Sequence, residues 1–462
     1  MFSRIKKQFN LGLVDIIVTP IYASIVLIVA FWYRKRIKDT TLKRYFVPAL
    51  VVKIVGAISV GLVYQFYYTG GDTFNYFNQG SVLHEAFFND PVKSIDLFLR
   101  SESAYALPYV RKIYWYTSAE FFIIKVSALF SILGFDNYST VAILFAATNF
   151  LSLVLLYGVF AKELPKLNTK VVLIIFFIPS LFFWSSGITK DTLAMTGLNF
   201  LIYGVYSIFI ERKISVLSII LTLSSIYILN NTKVYILIAA VLALSIWMFM
   251  YNRSRVRSRI LRVLVTPILI ILGLGFAFYG TSYLVSSKSK FRLQKLSETA
   301  YISSLYHSNI SSTSSTVPRG HGGSGYEMQV FDGTIDGMLF LAPKAITLSL
   351  FRPFPWEVRN PLMLLAALES LFLVYLTFLS VSSGKARVLR KIKKPVIVFC
   401  FIFSITIALA TGLTSGNFGN LSRYRIPSLQ FYCIAMVGIA GNRKVKQPHI
   451  TLARARRASF TK

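Results

Sequence analysis

Apolar residues in this chain neither alternate with a period of two nor mark one helical face. They run on for about 20 positions, stop at short polar stretches and resume. A hydrocarbon core about 30 Å thick needs roughly 20 such residues in a helix. Lipid offers no hydrogen-bond partner to a bare peptide group, so a run of that length crosses as a helix. The runs at 16–33, 46–66, 139–160, 171–187, 191–210, 215–229, 233–250, 263–283, 361–381, 395–413 and 427–441 predict eleven spans. A further apolar stretch, 119–134, is short and carries Glu120 and Lys125. That suits a helix lying at the membrane surface. The expected fold is all-α: one polytopic integral membrane domain over 1–462, with juxtamembrane helices beside its spans.

Composition agrees, with 55% hydrophobic and 15% charged residues and a mean hydropathy of +0.60; soluble chains carry roughly 25% charged residues. Fifty Lys and Arg against eighteen Asp and Glu give +32. In a soluble chain that excess would suggest nucleic acid, but here its placement supplies another cause. With 119–134 at the surface, the connections 34–45, 161–170, 211–214, 251–262, 382–394 and the tail 442–462 all face one side. They hold twenty-nine Lys and Arg, opposed only by Asp39, Glu163 and Glu211. Basic residues are retained on the cytoplasmic side, so the expected N-terminus is outside and the C-terminus cytoplasmic, in a bacterial inner membrane. MFSRIKKQFN then begins a retained first span, since no small-residue cleavage site precedes Arg34. Nucleic acid is not needed to explain the charge.

Under this topology the long connections face outward: 67–138, expected to hold the juxtamembrane helices, and 284–360. The second contains HSNISSTSSTVPRGHGGSG, 307–325, whose composition suits a flexible flap or a plain disordered loop. Cys400 and Cys433 sit inside apolar runs and make no disulfide framework. His84, His307, His321 and His449 show no metal-binding spacing. No metal site is expected, and no feature requires a divalent cation. No repeat relates two halves of the chain as in many transporters.

Four segments carry candidate chemistry. TGGDTFNYF, Thr69–Phe77, follows the second span; its glycines let the chain turn sharply and leave Asp72 at the membrane surface, as a general base or a helix cap. WSSGITKDT, Trp184–Thr192, puts Lys190 and Asp191 at the start of a span. A cation at a positive helix end calls for an anion nearby. SGNFGNLSRYRIP, Ser415–Pro427, sets Arg423 and Arg425 before the last span, against the charge trend and with the planar geometry that suits phosphate. LFRPFPWEVRNP, Leu350–Pro361, with Arg352, Glu357 and Arg359, reads as a re-entrant or surface segment whose charges pair among themselves or bind an anion. Of the ionisable residues nearest the apolar runs, Lys53, Lys125 and Glu369, snorkelling to an edge accounts for Lys53.

The order of these features resembles the GT-C superfamily of polytopic membrane glycosyltransferases: an outer Gly71-Asp72 with Tyr76 four positions on, surface helices, the Trp184 to Asp191 segment, and a late arginine cluster. Here one extra span precedes the Asp-bearing loop. The resemblance implies a GT-C-like fold and transfer of a sugar from a polyprenyl-phosphate or polyprenyl-diphosphate donor at the outer leaflet. It makes Asp72 the base that deprotonates an acceptor hydroxyl, with inversion at the anomeric carbon. Tyr76, Lys190, Asp191, Arg423, Arg425 and Arg352 would bind substrate, the cations on the lipid phosphate, and 307–325 would close over the glycan. An O-antigen-type polymerase or ligase, which leans on outer arginines, stands beside this reading. A lipid-linked oligosaccharide flippase or exporter and a non-enzymatic assembly factor stand further off.

Overall fold

The computed structural model describes residues 11–99, 109, 112, 118–252, 335–415 and 417–441. The expected span 263–283, the flap 307–325 and the tail 442–462 lie outside them. The described chain is all-helical: α1 Leu13–Arg34, α2 Thr40–Leu62, α3 Asp72–Asn89, α4 Pro91–Leu99, α5 Ser118–Gly134, α6 Tyr138–Glu163, α7 Asn168–Phe177, α8 Pro179–Trp184, α9 Lys190–Val205, α10 Val216–Thr232, α11 Val234–Asn252, α12 Ile335–Phe351, α13 Pro361–Val381, α14 Lys385–Ile392, α15 Pro395–Thr414, α16 Phe418–Tyr424 and α17 Ile426–Ala440.

Among the described residues seven helices are long and apolar enough to cross a membrane: α1, α2, α6, α9, α11, α13 and α15. Two further expected spans form the shorter apolar helices α10 and α17. The stretch 119–134 forms α5, packed on α3, α6 and α10. Its Ile123, Ile124 and Ala128 are fully buried, and Lys125 donates to the Phe98 carbonyl at 2.6 Å. The bundle centres on α17, buried from Ile426 to Ile439. By contrast α1 lies at the periphery, with 11% of its apolar window covered by protein. Asp15 pins it there, accepting from Ser139 N at 3.2 Å and Ser139 Oγ at 2.6 Å at the start of α6.

The run 171–187 is not one span. Pro179 blocks the helix and pushes Ile178 into an extended conformation, φ −69° and ψ 125°, so the run splits into α7 and the six-residue α8. Such a break bares peptide groups inside the bundle, where each needs a partner. Glu369 serves the start of α8, accepting from Ser180 N at 2.6 Å and from Ser180 Oγ at 2.5 Å. Lys53 serves its far end, donating to the Ser185 carbonyl at 2.8 Å and to Ser185 Oγ at 2.7 Å. The acid meets the positive end of the helix and the cation the negative end. Lys53 is 0% exposed; it does not snorkel, because its partner lies inside the bundle.

Within the expected outer connection 284–360, residues 335–351 form α12 against α15. A side chain at Gly412 would come within 2.1 Å of the Ala345 carbonyl, so the two backbones touch only because position 412 lacks a Cβ. The chain then turns through the 352–358 segment. Arg352 Nε donates to both Glu357 oxygens at 3.0 and 3.1 Å, and Phe354 N donates at 2.7 Å. Burial opposes the charge on Glu357, but the Arg352 fork and the Phe354 N–H outweigh it and hold its pKa below the ordinary 4.5. A carboxyl depressed in the folded state stabilises above its unfolded pKa and loses that contribution as the pH falls through the folded value. The protection of the 352–358 amides, measured as observed exchange relative to the intrinsic rate at the same pH, is therefore expected to hold from about pH 7 to 5 and to fall below about pH 4; protection that is constant through the acid range would rule out this pairing as the turn's anchor.

Candidate functional site

Two sets of contacts fix the ends of the bundle. At one, the basic connections meet: Lys162 pairs with Glu211, and Tyr157 bonds Asp39 at 3.0 Å. At the other lie the end of α2 and the starts of α3, α9, α11 and α17, and there the candidate residues gather.

Asp72 reaches its place through a tight turn. Beyond Tyr67, Gly70 and Gly71 both take φ +136°, a region open only to glycine at low cost, and Asp72 opens α3. A Cβ at Gly71 would lie 2.8 Å from the Tyr64 ring. Gly71→Ala is therefore expected to cost about 1–3 kcal/mol from backbone strain alone and to swing Asp72 off its partners; a variant with unchanged thermal unfolding would show that the turn is not constrained.

The partner is Arg423, whose Nη1 donates to Asp72 Oδ2 at 3.0 Å and lies 3.5 Å from the Tyr64 hydroxyl. Its Nε donates to Asp191 Oδ2, and its guanidinium carbon stands 6.0 Å from the Trp184 ring. Asp191 is 1% exposed at its side chain and turns its other oxygen to Lys233 Nζ, which sits 4.5 Å from the Tyr424 ring. Beside them Lys190 Nζ pairs with Glu120 at 3.4 Å and lies 5.7 Å from the Tyr76 ring. Three acids and three cations thus share one end of the bundle.

Local sequence sets each position. Thr189 caps α9, accepting from Thr192 N at 3.3 Å, and so presents Lys190 and Asp191 in its first turn. Asn417 caps α16, accepting from Asn420 N at 2.8 Å, and Arg423 falls in that helix's last turn. Burial works against the charge on Arg423, yet Asp191, Tyr64 and Asp72 outweigh it and raise its pKa well above the ordinary value. Burial, and then the Asp72 charge, push the Tyr76 phenol upward, so it is uncharged beside Lys190.

Asp72, Tyr76, Lys190, Asp191 and Arg423 therefore come together, while Arg425 and Arg352 do not join them. Arg425 is 1% exposed and turns into the bundle. Its Nη1 meets the Arg352 carbonyl at 2.7 Å and Ser370 Oγ at 3.0 Å, and its Nη2 meets the Ala366 carbonyl at 3.1 Å. Glu369 lies 3.8 Å away. This arginine ties the 352–358 turn to α13, and protein carbonyls occupy the fork expected to hold phosphate. Arg352 is committed to Glu357. Lys233 joins the site although nothing in its neighbourhood marks it: it is a lone lysine where α10 runs into α11. Glu120 enters as the partner of Lys190.

A cavity of about 390 Å³ adjoins the charged cluster. Its walls include Tyr67, Phe182, Phe183, Trp184 and Phe418, with Arg359 also lining it. Trp184 faces both the cavity and Arg423, so an apolar chamber and a set of cations share one wall. Among the described residues no three His, Cys, Asp or Glu side chains converge as metal ligands do. Comparison of the chain with protein-family models, with curated proteins and with solved structures finds no match, so the chemistry of this site rests on its own side chains.

Proposed function

We propose that the protein is a membrane glycosyltransferase that moves a sugar from a polyprenyl-phosphate-linked donor to a glycan or lipid acceptor, in cell-surface polysaccharide or glycoconjugate synthesis. The observation that carries this reading is the half-exposed Asp72 carboxylate, 39% exposed and 3.0 Å from Arg423, beside an aromatic chamber. A lipid-linked phosphate has two needs, cations for its charge and an apolar space for its first isoprene units, and the two sites meet at Trp184. In the proposed reaction an acceptor hydroxyl gives its proton to Asp72 and its oxygen attacks the anomeric carbon with inversion. The bond from that carbon to the phosphate oxygen breaks, and the electron pair stays on the phosphate. Arg423, with Lys190 and Lys233 near it, stabilises the charge that grows there, more in the transition state than before it.

The basic connections at the opposite end favour the cytoplasm for that end, which supports the proposed site for Asp72, the outer face of a bacterial inner membrane. One observation favours a second reading, an O-antigen-type polymerase or ligase: Arg423, not Asp72, is the hub of the cluster. The test is incubation of the protein in nanodiscs with polyprenyl-phosphate and polyprenyl-diphosphate sugars, following release of the lipid phosphate. Release from the diphosphate glycan alone would select the polymerase. No release, combined with lipid translocation in vesicles, would replace both readings with a flippase.

A further inference from the structure

We propose that Arg423 holds Asp72 in reserve: a phosphate oxyanion entering the site takes the place of Asp72 on the guanidinium, and the freed carboxylate then turns to the acceptor. The role given to the freed carboxylate rests on the glycosyl-transfer reading; the exchange is a binding equilibrium, measured without turnover.

The two acids on Arg423 are unequal. Asp191 has a 1% exposed side chain and is bonded to Lys233 as well, so it stays. Asp72 has a 39% exposed side chain and only Arg423 as an ion-pair partner among the described residues, so it can rotate into solvent. Solvent reaches mainly the Asp72 end of the pair, and pairs screened by solvent contribute about fivefold in equilibrium terms. On the same guanidinium, Nη2 donates to no group among the described residues. With Nη1 it forms the outer edge of the fork, the edge that grips two oxygens of a phosphate. Charge points the same way. Asp72, Asp191 and Glu120 already balance Arg423, Lys233 and Lys190, so a phosphate added with every contact kept would leave excess negative charge in a half-buried site. Release of Asp72 from Arg423 relieves it. Asp191 becomes a positioning residue that keeps Arg423 aimed during the exchange, and the order of binding is fixed: donor phosphate first, acceptor second.

The test is calorimetric titration of inorganic pyrophosphate into the protein in phosphatidylcholine nanodiscs. Asp72→Asn removes the competitor and is expected to tighten binding about fivefold. Glu211→Gln removes one negative charge beside Lys162 at the opposite end of the bundle and leaves the Arg423 cluster untouched, so it is expected to change binding less than about twofold. Asp72→Ser, a small polar residue in the first turn of α3, repeats the measurement should the amide fail to fold. No tightening on loss of the carboxylate, or equal tightening in Glu211→Gln, would overturn the exchange. Farnesyl phosphate as a second titrant identifies the source of the anion. Tighter binding than inorganic phosphate, titrated alongside it as the monophosphate reference, assigns it to a lipid and equal binding to a soluble phosphate, and in both cases the Asp72 arm must show the same gain.

Discussion

Asp72→Asn is expected to lower glycosyl transfer by about two to four orders of magnitude, the range over which a positioned general base acts. The amide keeps the size of the side chain but carries no charge to hold Arg423 and accepts no proton at neutral pH. Donor binding should survive, so the loss should fall on kcat rather than on KM for the lipid donor. The polymerase or ligase reading makes the opposite forecast. If Arg423 is the working group and Asp72 merely orients it, the asparagine variant retains most of its turnover while Arg423→Lys does not. Steady-state rates for the two variants separate the readings, and near-full activity of Asp72→Asn would remove the base from the mechanism.

Asp191→Asn is expected to have the largest effect on stability. The substitution leaves Arg423 and Lys233 facing each other with no carboxylate between them, in a place where Asp191 is 1% exposed and each cation 11%. Stripping one partner from a buried charge set costs about 3–5 kcal/mol, because the remaining charge stays desolvated without compensation. Asp72→Asn is the internal comparison: its carboxylate is 39% exposed, and loss of such a pair costs about 1 kcal/mol or less. Unfolding in detergent, followed by circular dichroism, should rank the two variants far apart. Similar midpoints would mean that water reaches Asp191 and that the cluster is not the buried anchor described above.

The helices were legible because hydrocarbon thickness sets a ruler, and the polar stretches between apolar runs marked where helices end. Asp72, Lys190 and Arg423 could be singled out for the same reason: each follows a Gly-Gly turn, a connection too short to be a loop, or a charge on the less favoured side. What could not be read was direction. Arg423 and Arg425 stand two residues apart, and two steps along a helix rotate a side chain by about 200°, so one enters the site and the other the bundle; nothing local says which. Lys233 was invisible because its partner, Asp191, is forty-two residues away and becomes its neighbour only when α9 packs on α10 and α11. The hydropathy of 171–187 hid the break at Pro179, since an average over the run does not register one missing N–H.

That break has a consequence for how the sequence can change. Lys53 and Glu369 stand at opposite ends of a six-residue helix, where bared backbone partners both, and Arg425 lies 3.8 Å from Glu369 besides. A descendant chain that lost Pro179 and ran straight through would strand the amine and leave the acid to Arg425 alone, while one that lost either charge would strand the backbone. The three positions, far apart in the gene, are therefore expected to be inherited or abandoned together.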